Sequence, residues 1–263
     1  MGVSPSAAGR SASARQAKWS EFMAWIDGHG DSRWIFRGLG DPGFSLMTGA
    51  GRSREYRLAD ERTVLEIFER RASEFIGVHN SGPWDLLALA QHHGLPTRLL
   101  DWTTNPLVAA FFAVAAEPAS FDTDHPNPGD ANNGAIKVKP HAEHVAARIV
   151  AWTVLAKNVV DPATDTDPFA LTEIKFLMPR VLTTRISTQS GLFSVHPAPE
   201  IPWAEPLAKA KNIFDIPGDM RAYFRRKLFH LGVDDQRIMG GLDGLCRRLA
   251  WQYGARVGLG AVR

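Results

Sequence analysis

The sequence predicts a single α+β domain, with helices packed on a small mixed or antiparallel sheet. Three observations predict this class. Stretches with helical apolar spacing alternate with short extended stretches along the chain. The 263 residues are 44% hydrophobic and hold eight Trp, enough apolar matter for a sizeable core. No internal repeat and no clear linker divides them. The expected division is a disordered leader over 1–18, a folded domain over 19–254 and a tail over 255–263.

Residues 1–18 are small and basic, with Arg10, Arg15 and Lys18 and no acid before Glu21. They lack the apolar stretch of a secretory signal. The stretch resembles an Arg/Ser-rich transit peptide, and its first six residues fit a myristoylation pattern, so a targeting role stays open beside disorder. Residues 19–27 read as a short helix with Phe22, Trp25 and Ile26 on one face, ending near Gly28 and Gly30. Residues 33–37 read as a strand, followed by the turn-rich Gly38-Leu39-Gly40-Asp41-Pro42-Gly43. Asp60 is placed to cap a long helix on which Val64, Leu65, Phe68, Ala72, Phe75 and Ile76 share a face. Pro83 suits the first turn of the next helix, which buries Leu86, Leu87 and Ala90 and stops at Gly94.

A further helix runs over 106–116, again with proline at its start. Residues 117–133 are rich in Pro, Asp, Asn and Gly and form a long surface loop. Residues 134–139 alternate like a half-buried strand, 141–157 read as helix, and 174–178 and 185–195 as extended. Asp219 is placed to cap an amphipathic helix carrying Phe224, Leu228 and Leu231 to Gly232. Residues 242–253 close the domain.

Composition excludes several functions. The richest apolar run, 107–116, is far shorter than the ~18 residues of a spanning helix, so no membrane role is expected. Cys246, the one cysteine, has no internal partner, which fits a reducing cytoplasm. Thirty Lys and Arg against twenty-eight Asp and Glu leave +2, far from a dedicated nucleic-acid binder. Phosphate-binding loops with a lysine, nucleophile elbows, zinc-protease motifs and paired Cys motifs are absent. His92 and His93 are adjacent and point about 100° apart on a helix, so no metal site is expected from them.

What stands out is polar residues set among apolar ones. Arg37 follows Trp34-Ile35-Phe36 and meets Gly38. The segment Gln91-His92-His93-Gly94-Leu95-Pro96-Thr97-Arg98-Leu99-Leu100-Asp101-Trp102-Thr103-Thr104 is denser still. Arg98 and Asp101 lie three apart between leucines, and a mutual ion pair would make their burial tolerable. Such a pair either staples a loop into the core or, with His93 and Thr103, lines a pocket for an anion or nucleotide. Arg37, Arg98, Thr103 and Gln189 are expected to converge on one concave site.

These residues also carry a resemblance. Phe36-Arg37-Gly38, the segment 91–103 and Ala109-Ala110-Phe111-Phe112-Ala113 resemble the FRG-domain family, named for its Phe-Arg-Gly motif. Arg185-Ile186 with Gln189, Gly191 and Phe193 is similar to that family's later motif, and Leu231-Gly232-Val233 with Leu242-Asp243-Gly244 to its end. The likeness spans about residues 20–250. The chain departs from it at Gly240-Gly241, where the family has Pro-Asp. It implies a bacterial protein, as a toxin or defence effector.

A second likeness is to ADP-ribosyltransferases of the Arg-Ser-Glu type. Phe36-Arg37-Gly38 is similar to their first strand, and Trp102-Thr103-Thr104-Asn105 before Ala109, Ala110 and Phe112 to their second motif. Gln189 or Ser187 falls where their catalytic Glu would stand. This likeness implies an ADP-ribosyltransferase-like core using NAD as substrate, without a metal. Arg37, Thr103 and Gln189 would be catalytic, and Arg37, Gly38, His93, Arg98 and Thr104 would bind the nucleotide. A missing acid would have to come from elsewhere, with Glu173, Glu200 and Asp243 as candidates. The acceptor could be a nucleic acid or a protein. The rival reading is a non-catalytic module that recognises a nucleotide, nucleic acid or protein, supported by the basic run Arg221, Arg225, Arg226, Lys227, Arg247 and Arg248.

Overall fold

A computed structural model describes residues 7–53, 55–72, 74, 82–115, 145–179 and 191–258. The elements in order are α1 (Ala7–Asp27), β1 (Trp34–Leu39), α2 (Gly49–Arg52), α3 (Glu61–Ala72), α4 (Pro83–His92), β2 (Leu99–Thr103) and α5 (Pro106–Ala115). They continue with β3 (Ala147–Thr153), β4 (Lys175–Leu177), β5 (Gly191–Val195), β6 (Ile213–Ile216), α6 (Arg221–His230), α7 (Asp235–Met239) and α8 (Gly241–Ala255). The strands form one six-stranded sheet in the order β4-β5-β2-β1-β3-β6, with every neighbouring pair antiparallel. The expected α+β class with an antiparallel sheet and packed helices is what the chain adopts.

Strand alternation sorts the core into two faces. On one face α5 lies across β1 and β3. There Phe36, Ile149, Ala151, Phe214 and Ile216 meet Val108, Ala109 and Ala113 of α5, Phe22 of α1, and Phe224 and Leu228 of α6. The same face continues over β2 and β5, where Leu99, Phe193 and Val195 pack under Trp84, Leu87 and Ala88 of α4 and Leu65 of α3. The opposite face carries Ile35, Leu39, Leu100, Trp102, Val150 and Leu192. Leu46 and Trp203 from connecting segments cover it. Trp203 meets Trp152 edge-on at 5.0 Å and Trp102 at 5.9 Å. Each such fully buried large side chain contributes about 1.5–3 kcal/mol.

Several elements depart from expectation, each for a local reason. Helix α1 begins at Ala7 rather than near residue 19, so much of the expected leader is helix. Its alanines favour that state, the Tyr223 hydroxyl donates to Gln16 Oε1 at 2.9 Å, and Trp19 is buried against Phe224. Residues 141–157, expected as helix, supply the strand β3, which pairs along its length with β1. The run Arg148-Ile149-Val150-Ala151-Trp152-Thr153 is β-branched and aromatic, and that outweighs the helical Ala and His upstream. Strand β1 extends through Gly38 and Leu39, which were expected to begin the turn.

Neither expected carboxylate cap forms. Asp60 closes a short 3-10 turn and pairs with Arg57 at 2.7 Å. Helix α6 starts after Met220 with no side-chain cap, because Asp219 also lies in a 3-10 turn. Helices α4 and α5 do start at Pro83 and Pro106. Gly94, at φ 89°, turns the chain out of α4 into β2. The expected loop over 117–133, the strand over 134–139, and Phe75, Ile76, Ser187 and Gln189 lie outside the described residues.

Candidate functional site

The site is built where β1 and β2 part. The two strands share the register pair Phe36 and Thr103, whereas β2 and β5 pair over five positions. Beyond that pair, Arg37 Nη1 donates to the backbone carbonyl of Asp101. The Asp101 carboxylate lies 3.8 Å from the same nitrogen, outside hydrogen-bond range, and its side chain is 59% exposed. The Arg37 side chain is 16% exposed, and its buried Nε has no partner among the described residues. Burial pushes the guanidinium below its usual value; Asp101 opposes that push and Arg52 adds to it. Arg37 is thus a buried cation with one firm bond, to a neutral carbonyl, and one loose carboxylate.

Asp101 is held from the other side. Gln91 Nε2 donates to Asp101 Oδ2 at 3.1 Å, and Thr97 Oγ1 donates to Gln91 Oε1 at 2.7 Å. The dense segment 91–103 therefore folds back on itself, with the C-terminal end of α4 bracing the middle of β2. Under Arg37, on the side away from α5, Trp102 Nε1 donates to Ser194 Oγ at 3.0 Å, and Ser194 Oγ lies 2.9 Å from His196 Nε2. Burial, reinforced by the charge of Arg37, pushes the His196 imidazole down to about 4. The ring is therefore neutral at pH 7. The Ser194 hydroxyl thus accepts from the indole and shares a second hydrogen bond with the imidazole.

The expected site residues do not all meet here. Phe36 pairs with Thr103 and both face α5, so Arg37, one residue on, belongs to the other face of the sheet. The Thr103 hydroxyl is buried and accepts from the Asn105 amide at 3.1 Å, where the chain enters α5. The Thr103 side chain therefore faces α5, on the same face of β2 as Asp101. Gly38 also faces α5: a Cβ there would overlap the backbone of Ala109 and Ala113. It is a packing glycine. Thr104 is exposed in the turn after β2, and His93 is exposed at the end of α4, edge-on to His92 at 5.1 Å.

Arg98 is buried, as expected, but its partner is Glu61 rather than Asp101. Nη2 meets Glu61 Oε2 at 2.8 Å and the Arg98 amide donates to Glu61 Oε1 at 2.9 Å. The guanidinium also stacks 4.5 Å over the Phe169 ring. Arg98 lies in the bend before β2 and turns to α3, whereas Asp101 lies in the strand and meets Gln91 of α4. Arg98 thus staples α3 to β2, and Glu61 carried no sequence signal beyond being an acid in a helix's first turn.

Of the candidate acids, Glu200 lies where the chain passes Gly51, next to Arg52. Glu173 and Glu200 are exposed in connecting segments, and Asp243 sits in the first turn of α8, beside a surface depression lined by Met239 and Arg247. The carboxylate that does accompany Arg37 is Asp101. The basic run is largely consumed within the fold. Arg221 donates to the carbonyls of Gly40, Ala113 and Val145, Arg225 pairs with Asp235, Arg248 with Asp234, and Arg226 with the Ala255 carbonyl. No group of three or more His, Cys, Asp or Glu among the described residues could hold a metal. No helix among them is long and apolar enough to cross a membrane.

The fold and this site define an α+β domain whose antiparallel sheet parts beside a buried arginine. The FRG domain family model matches residues 32–122, so an FRG domain is present there. The match begins just before β1 and takes in Arg37, the segment 91–103 and α5; the likenesses at 185–193 and 231–244 fall beyond it. No curated protein and no solved structure matches the chain.

Proposed function

We propose that this domain binds a nucleotide, NAD foremost, where β1 and β2 part, with Arg37 as the phosphate ligand. One observation carries the reading: a buried guanidinium whose Nε lacks a partner among the described residues and whose nearest carboxylate stands off at 3.8 Å. A cation so placed is costly unless something anionic completes it. The planar guanidinium offers two parallel donors to a phosphate. Arg52 adds positive potential at the site, and neutral His196 adds no charge of its own.

The ADP-ribosyl transfer reading keeps partial support. Arg37 on β1, the end of β2, and β5 lie on three neighbouring strands, and Gln189 precedes β5 by two residues in sequence. Calorimetry with NAD tests the binding reading: wild type should bind, and Arg37→Lys should fold normally yet lose about tenfold or more in affinity, because lysine gives up the two-point contact. A folded wild-type chain that does not bind NAD refutes it. Incubation with labelled NAD and release of nicotinamide then decides whether cleavage follows binding.

A further inference from the structure

We infer that Asp101 is the residue that selects ribose, accepting a hydrogen bond from a 2′-hydroxyl of the nucleotide beside the phosphate held by Arg37. This rests on the nucleotide reading above and assigns the chemistry of its second contact.

Three features of Asp101 point to this role. First, its carboxylate is 59% exposed on the face of β2 that otherwise carries buried Leu99 and Thr103, an isolated acid on a buried strand face. Second, Arg37 engages it only loosely. The arginine bonds the Asp101 carbonyl, and the carboxylate stands off at 3.8 Å. Third, it is oriented. Gln91 fixes Oδ2, Thr97 fixes Gln91, and Oδ1 takes no donor among the described residues. A carboxylate held on one oxygen and free on the other is an acceptor awaiting a donor.

The donor has to be neutral and adjacent to an anion. A second phosphate is excluded by repulsion, and a cation would compete with Arg37 itself. A sugar hydroxyl, a few bonds from the phosphate, meets both conditions. An acidic side chain that accepts from a ribose hydroxyl next to a phosphate-binding element is a recurrent solution in dinucleotide sites. Gln91 is then a positioning residue, holding the carboxylate without touching the ligand.

The test compares the binding of three probes to the full chain by calorimetry: NAD, NAD lacking the 2′-hydroxyl of the adenosine ribose, and NAD lacking the 2′-hydroxyl of the nicotinamide ribose. Wild type should lose about tenfold or more for one of the two deoxy probes, the scale of a hydrogen bond to a charged group. Asp101→Asn, nearly the same shape, should bind NAD more weakly and bind that deoxy probe about as well as NAD. Gln91→Met should reduce the discrimination while leaving Arg37-dependent binding in place. If Asp101→Asn keeps the wild-type preference, or wild type shows none, the assignment to Asp101 is wrong while nucleotide binding stands. If folded wild type binds no NAD, the nucleotide reading and this inference fall together.

Discussion

The Arg98–Glu61 pair offers the sharpest test of how the motif segment holds the fold. The two side chains are 9% and 2% exposed, so removing either partner leaves a full charge in the core. Arg98→Met keeps most of the stem but loses the guanidinium stacked over Phe169 and strands the Glu61 carboxylate, with only the backbone amide of residue 98 left to it. Breaking a buried pair from one side costs about 3–5 kcal/mol. Glu61→Gln, which strands the guanidinium, should cost a similar amount. The double variant Arg98→Met/Glu61→Leu removes both charges, leaves the Arg98 amide without its acceptor, and should cost about 2 kcal/mol. The two losses are therefore strongly non-additive, with a coupling of several kcal/mol. Urea denaturation of the four proteins at neutral pH measures it, with the slope watched for changes in cooperativity. Single-variant losses under about 1 kcal/mol, or costs that simply add, would refute the buried-pair argument.

Three further outcomes follow from the same geometry. His196 is held near 4 in the fold against 6.5 when free, so only the unfolded chain takes up the proton between those values. Its contribution is whole above pH 6.5 and is lost as pH falls toward 4, about 3 kcal/mol in all; His196→Asn should therefore flatten the fall in stability between pH 7 and 4.5 relative to wild type in urea titrations. Gly38→Ala should destabilise by about 3 kcal/mol or more in the same assay, since α5 has to lift off β1 to admit a methyl group; a variant that melts like wild type contradicts the close approach. Arg37→Lys should leave the melting temperature within a few degrees of wild type while removing most NAD affinity, and an unchanged affinity would move the phosphate contact elsewhere.

Much of the fold is legible in the sequence where one residue has one physical meaning. Pro83 and Pro106 mark helix starts because a missing N–H is harmless in a first turn, and Gly94 marks a stop because it sits at φ 89°. Strand β3 is not legible as a strand. Its upstream residues Ala146 and Ala147 favour helix, and only pairing with β1 on one side and β6 on the other settles the matter. Caps at Asp60 and Asp219 fail because 3-10 turns occupy the place where a capping residue would stand. At the site, Arg37 is visible as a polar residue in an apolar run. Glu61 is not, because its meaning comes from Arg98, which is 37 residues away. Alternation is legible as well: along the extended runs of β1 and β2, odd and even positions face opposite sides.

The same alternation explains how three consecutive residues can each be indispensable for a different reason. Phe36 points at α5 and fills the core beneath it; Gly38 points the same way and has no side chain, so that α5 can rest on the strand. Arg37 lies between them and is forced to the other face, where connecting segments rather than α5 cover the sheet and β1 parts from β2. The glycine and the phenylalanine thus set the strand's height and roll under α5, and through them the point at which the guanidinium emerges. A change at Gly38 should therefore displace Arg37 as well as weaken packing. Gly38→Ala ought to lose nucleotide affinity beyond what its stability loss explains, measured at a temperature where the variant remains folded. If its affinity stays at the wild-type value under those conditions, the arginine is positioned by β2 and Asp101 alone, and the tripeptide is a packing motif that happens to contain an arginine.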